Sequence, residues 1–220
     1  MKTRTLTAFA STAVLAFGVA ACGDDDSSSS GSSEAKAKPE PVAQIDQLTG
    51  ERTSVMLDSG FVQALTDLKV TPGPVGEASI SKSGTATFPI TGGNVTYYEP
   101  GSVSPFVQGL INHEGSGLSL EAGGKLVELE NFDVDPGKSV LTGDVSVDGE
   151  EAAADAPLFF LDGRTLEPLQ AKANGTAVLQ GTTVKLREEA ATLLNETFGI
   201  EDLQKDLVIG VAKITVETGA

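Results

Sequence analysis

The 220-residue chain has no tryptophan, one cysteine and one histidine, and aromatic side chains make up only 5% of it. Each scarcity excludes something. A single cysteine cannot build an intrachain disulfide framework. A single imidazole cannot supply the several His or Cys ligands at short spacing that zinc sites use, so no metal site is expected. Few aromatics and no Trp argue against a large aromatic-lined carbohydrate cleft. Cations are scarce as well: 15 Lys plus Arg stand against 31 Asp plus Glu, a formal charge of −16. Nucleic acids are held through cationic contacts to phosphate, so no nucleic-acid partner is expected. An anionic lipid surface is equally disfavoured as a partner for so acidic a body. Acidity of this kind serves solubility and repulsion from an anionic envelope.

The N-terminus carries the clearest signal. Lys2 and Arg4 form a positive start, and the uncharged stretch Leu6 to Ala20 follows. It is short for a spanning helix, which needs about 20 apolar residues, and it ends in small residues as a secretory signal does. Val19-Ala20-Ala21-Cys22 resembles the bacterial lipobox. That resemblance implies cleavage before Cys22, a lipid on its thiol (the palmitate-type anchor of lipoproteins), and attachment to the extracytoplasmic face of the cell membrane. Two acyl chains make stable attachment. The alternative is an ordinary cleaved signal with a cysteine there by chance. The Asp24-Asp25-Asp26 and Ser27 to Ser30 runs look like the tethers of lipoproteins from high-GC Gram-positive bacteria.

The expected organisation is a signal peptide over 1–21, a lipidated N-terminus and disordered tether over 22–48, and one β-rich domain over 49–220. The tether is poor in large apolar residues and cannot bury enough surface to order itself. Beyond it the chain alternates as strands do. Residues 84–90 place Ala86, Phe88 and Ile90 on one face; residues 105–113 do the same for Val107, Gly109, Ile111 and His113. Residues 125–135 slip phase near Glu130–Asn131, which predicts a bulge. Gly123-Gly124 and Pro136-Gly137 read as hairpin turns. Residues 139–148, 157–162 and 206–217 read as further strands. Two stretches, 58–70 behind Asp58 and 187–199 ending at Gly199, carry apolar residues at helical spacing. Residues 53–68 and 182–197 share a strand–helix pattern, a weak internal repeat. The fold class is α+β, mainly β: an antiparallel sheet or sandwich with two amphipathic helices.

Catalysis has little to build on. A hydrolase would have to use His113, since no other imidazole exists, and no Gly-x-Ser-x-Gly elbow accompanies it: Glu114 and Leu118 stand where that pattern wants glycines. No catalytic residue is assigned, and the chain is read as a non-enzyme. His113 itself is expected at the end of a strand, partly exposed, its ring bonded to the Glu-Gly-Ser-Gly turn that follows.

A family resemblance adds a second reading. His113, Gly115, Leu118, Asn131, Leu141, Thr142 and Val145 fall into a pattern that resembles the HtaA-type domain of actinobacterial envelope proteins. The resemblance covers about residues 50–217 and is densest between 88 and 162. It implies a haem-binding domain outside the membrane, with a Tyr on the iron and a His supporting it. The family's Tyr stands at a helix start whose counterpart here, residues 59–65, has none; Tyr97 and Tyr98 are the chain's two tyrosines. Tyr97, Tyr98 and His113 are therefore the candidate ligand-binding residues, and haem the candidate cofactor. The leading expectation is an anchored, non-enzymatic envelope lipoprotein with a binding or structural role, its partners the membrane through Cys22 and a small ligand or envelope protein. Haem binding or relay is the alternative.

Overall fold

The computed structural model describes residues 38–218. Cys22, the signal peptide and most of the expected tether lie outside the described residues. The strands are β1 (Ala43–Ile45), β2 (Glu51–Leu57), β3 (Thr71–Gly76), β4 (Ser79–Ile80), β5 (Thr85–Pro89), β6 (Gly92–Tyr97), β7 (Val107–Ala122), β8 (Lys125–Asp135), β9 (Val140–Val147), β10 (Glu150–Asp162), β11 (Gln170–Ala171), β12 (Thr176–Leu186) and β13 (Val208–Glu217). Helix α1 (Ser59–Asp67) follows β2, and α2 (Glu188–Phe198) follows β12. The predicted mainly-β α+β class is what the chain adopts.

One antiparallel sheet runs in the order β1-β6-β7-β8-β9-β10-β12-β13-β2-β5-β4, with β3 added to β7 and β11 to β12. It curls until its β2–β5 end reaches β7. There Thr91 N–H donates to the Asn112 carbonyl at 2.9 Å and Ile90 N–H to the Glu51 carbonyl at 2.8 Å. Curling turns every second residue inward. Ala86, Phe88, Ile111, Val134, Phe159, Leu161, Val184, Ala212 and Val216 all lie in the one buried core. The inward faces expected for residues 84–90 and 105–113 are those observed.

The helices form where their signals stand. Asp58 caps α1 by accepting from the Gly60 and Phe61 N–H groups, and Gly199 ends α2 in the left-handed region. Strands β2 and β12 flank β13 on either side and both pair antiparallel to it, so they run parallel to each other and send α1 and α2 from the same end of the sheet.

Three expectations are corrected. The domain begins inside the segment read as tether: β1 pairs with β6 and Leu48 is buried. Strand β7 does not stop at His113. Its partner register jumps between His113 and Gly117, so Glu114-Gly115-Ser116 is a bulge within a long strand rather than a turn. Glycine is required there: a Cβ on Gly117 would sit 2.0 Å from the Leu129 carbonyl oxygen. The facing bulge on β8 is at Asn131, as expected, with φ of 53°. Strand β3, Thr-Pro-Gly-Pro-Val-Gly, was not foreseen because its two prolines demote a strand reading; they are tolerated because β3 is an added edge.

Candidate functional site

The inward faces do not fill the curled sheet. They enclose an interior of about 490 Å³, within the range of small-molecule sites. Its walls are aliphatic and aromatic: Val55, Leu57, Ala86, Phe88, Ile111, Val134, Phe159, Leu161, Val184, Ile209 and Ile214 contribute, with Ala177 and Ala212 where a larger residue would close the space. One end is rimmed by loops and chain ends, including Ala43, Ser104, Pro105, Pro136, Ser139, Gly163 and Thr218. No residue of the loops or helices at the opposite end lines it. The interior therefore opens at the end where β1 begins. The Gly163–Thr165 turn is pinned at this rim by Asp162, which accepts from Arg164 and, at 2.9 Å, from Lys185.

His113, Thr53 and Thr182 are the polar side chains on the inner wall away from the rim. His113 is 1% exposed, which corrects the expectation of a partly exposed ring. Its Nδ1 donates to the Phe132 carbonyl at 3.2 Å, leaving Nε2 to accept from the Thr53 hydroxyl at 2.8 Å. That assignment makes the ring neutral. Burial pushes its pKa down from 6.5 to about 4, against smaller opposing pulls from the Phe132 carbonyl and Asp133. Phe88 meets the ring edge-on at 6.3 Å between centroids, and Phe88, Phe132 and Phe159 continue edge-to-face beyond it. A hydroxyl 2.8 Å from an imidazole resembles a nucleophile–base pair. Here the second nitrogen faces a carbonyl rather than a carboxylate, and a base of pKa about 4 has little driving force at neutral pH. Thr53 was missed in the sequence; the signal was a lone Thr in the inward phase of Thr53, Val55 and Leu57.

The three candidate residues are not brought together. Tyr97 is buried and lines the interior near the rim, edge-on to Phe106 at 5.8 Å. It pairs with Val107, and from Val107 to His113 the strand runs roughly 20 Å. Tyr98 is half-buried and does not line the interior. A haem held by a tyrosinate with histidine support needs the phenol within hydrogen-bond reach of the imidazole; His113 meets Thr53 instead. The residues present do not fit that ligand set. Among the described residues no cluster of three His, Cys, Asp or Glu side chains could hold a metal ion, and no helix is long and apolar enough to cross a membrane.

No protein family model matches the chain, and no curated protein does. Among solved structures, the C-terminal domain of HtaA from Corynebacterium glutamicum matches at a TM-score of 0.55 and 13% identity, over 79% of this chain and 99% of that one. The domain-swapped dimer of a histidine-to-alanine variant of the same domain matches at a TM-score of 0.45 and 12% identity, over 73% and 92%. The chain shares the fold of the HtaA C-terminal domain.

The buried neutral ring has a consequence for stability. The unfolded imidazole takes up a proton below pH 6.5 and the native one only below about 4. The unfolded state thus binds more protons across that window, and stability present above it is lost as pH falls, by about 3 kcal/mol in all. Urea unfolding of wild type and His113→Phe across this window checks it. The wild type should lose stability faster than the variant; parallel curves would mean that the ring ionises freely in the native state.

Proposed function

We propose that the protein is a non-enzymatic binding module of the cell envelope that holds a largely apolar small molecule in its curled sheet. The observation that carries this reading is the interior of about 490 Å³ with an apolar lining and a rim of loops at one end. Ala177 and Ala212 keep the space open. Filling it with Ala177→Leu and Ala212→Leu should leave the fold intact and lower affinity for an environment-sensitive anilinonaphthalene dye by tenfold or more. Equal dye binding by the filled variant, in protein that still unfolds cooperatively, would overturn the reading.

The place of action rests on the sequence. The Val19-Ala20-Ala21-Cys22 pattern supports a lipid anchor on Cys22 and an extracytoplasmic position on the cell membrane, with the membrane as one partner and a ligand or envelope protein as another. Metabolic labelling with a palmitate analogue should mark the wild type and not Cys22→Ala; equal labelling would remove the anchor from the proposal. The acidity of the chain supports a body that is not adsorbed on anionic lipid and does not engage nucleic acid.

Haem binding or relay is the second reading, favoured over a purely structural role by the likeness to the HtaA domain fold. Fold alone does not carry a ligand, and the separation of Tyr97 from His113 speaks against it. Haemin titration should give a broad, non-saturating Soret change that Tyr97→Phe leaves alone. A sharp stoichiometric band abolished by Tyr97→Phe would put haem first.

A further inference from the structure

The interior has a feature that narrows the ligand class. Among the described residues no buried side-chain polar atom lacks a hydrogen-bond partner. On the inner wall His113 and Thr53 satisfy each other and the Phe132 carbonyl, which leaves Thr182 as the other polar side chain there. A sugar, peptide or nucleotide taken inside would exchange most of its hydrogen bonds to water for none, with only the Thr182 hydroxyl to meet it, at a cost that apolar contact does not offset. The part of the ligand that is buried is therefore mainly hydrocarbon, and its polar part stays at the rim. There the Ser104, Ser139 and Thr218 side chains and the exposed Lys138 and Arg164 stand at or beside the opening.

Depth points the same way. The wall from Ala177 to Val184 on β12 covers roughly 23 Å of strand, or about 18 Å along the axis at the usual tilt of a closed sheet. One leaflet of a bilayer's hydrocarbon core is about 15 Å thick, which is the extent of one lipid tail. The opening lies where β1 begins, beside Tyr97.

Resting on the reading of the interior as a ligand site, we infer that it takes the acyl chain of an amphiphilic lipid, methyl end first, with the head group outside the rim. The acyl chain is the shared chemistry; it can come from a free fatty acid or from a phospholipid. Because the chain has no tryptophan, single-tryptophan variants report on one place each. Phe159→Trp sits on the inner wall beside Phe132, and Phe106→Trp at the rim beside Tyr97. In the full protein, palmitate brominated at its terminal carbon should quench Phe159→Trp several-fold more than palmitate brominated next to the carboxylate, and the order should reverse at Phe106→Trp. Phosphatidylcholine vesicles with tails brominated at the terminus provide the second source; quenching of Phe159→Trp by them assigns a phospholipid tail, and quenching by the free acid alone assigns a fatty acid.

Wild-type protein gives a check that needs no substitution. Saturated fatty acids of rising length should displace the anilinonaphthalene dye with affinity climbing about fourfold per methylene, then levelling once the tail reaches the inner end. Quenching confined to Phe106→Trp, equal quenching by both bromopalmitates, or affinity that climbs without levelling would overturn the inference. Dye that binds and is not displaced by any fatty acid would overturn it while leaving the interior a ligand site. Failure of the dye to bind at all would overturn the ligand site itself.

Discussion

A sheet can enclose a space only if its two ends are held together where no continuous ladder joins them. In this chain the seam falls between β2 and β7, and the His113 imidazole spans it. One nitrogen reaches the Phe132 carbonyl on β8 and the other the Thr53 hydroxyl on β2. Both partners are fixed by strands, and the ring is fixed edge-on by Phe88 from β5. A lone buried imidazole is costly unless satisfied and neutral; here both conditions hold, and the depressed pKa follows from the same burial. The facing bulges on β7 and β8 belong to this arrangement. They let the pair of strands bend sharply just past His113, and their loose groups are taken up locally: Asn131 Oδ1 accepts from Gly115 N–H, and the Ser116 hydroxyl donates to the His113 carbonyl.

Once the seam is closed, the inward phase of each strand decides what the interior is. Valine, leucine and isoleucine make its wall apolar, and alanine at 86, 177 and 212 keeps that wall from meeting across the middle. Well-packed cores leave few voids larger than a water molecule, and an apolar interior of this kind suits an apolar guest. The interior thus differs from a core by a few side-chain volumes rather than by any special motif. That is why no local sequence pattern announces it.

Much of the fold was legible because it depends on local rules. Alternation placed Ala86, Phe88, Ile111 and His113 on their correct face, Asp58 and Gly199 marked helix ends, and the phase slip at Asn131 marked a bulge. What could not be read depends on contacts distant in sequence. Thr53 and His113 meet only because the sheet curls. Without that closure His113 looks like the end of a strand and Glu114 to Gly117 like a turn. Strand β3, with Pro72 and Pro74, is ordered because a bulged neighbour offers it an edge, and no propensity scale rewards such a sequence. The candidate site was legible as a residue, His113, and not as a place: Tyr97 lies on the same pair of strands but near the rim.

Outside and inside follow opposite rules, and the contrast bears on how such a body would work near a membrane. The surface carries a large excess of carboxylates, which an anionic leaflet repels over a Debye length of about 8 Å at physiological salt. A lipid on Cys22 would act against that repulsion, each buried methylene contributing about 0.8 kcal/mol. The two effects do not cancel, since one acts on the anchor and the other on the body: the domain would be tethered without being adsorbed. The chain joins the body at β1, on the rim of the opening. The rim is thus both where the described chain starts and where the apolar interior opens.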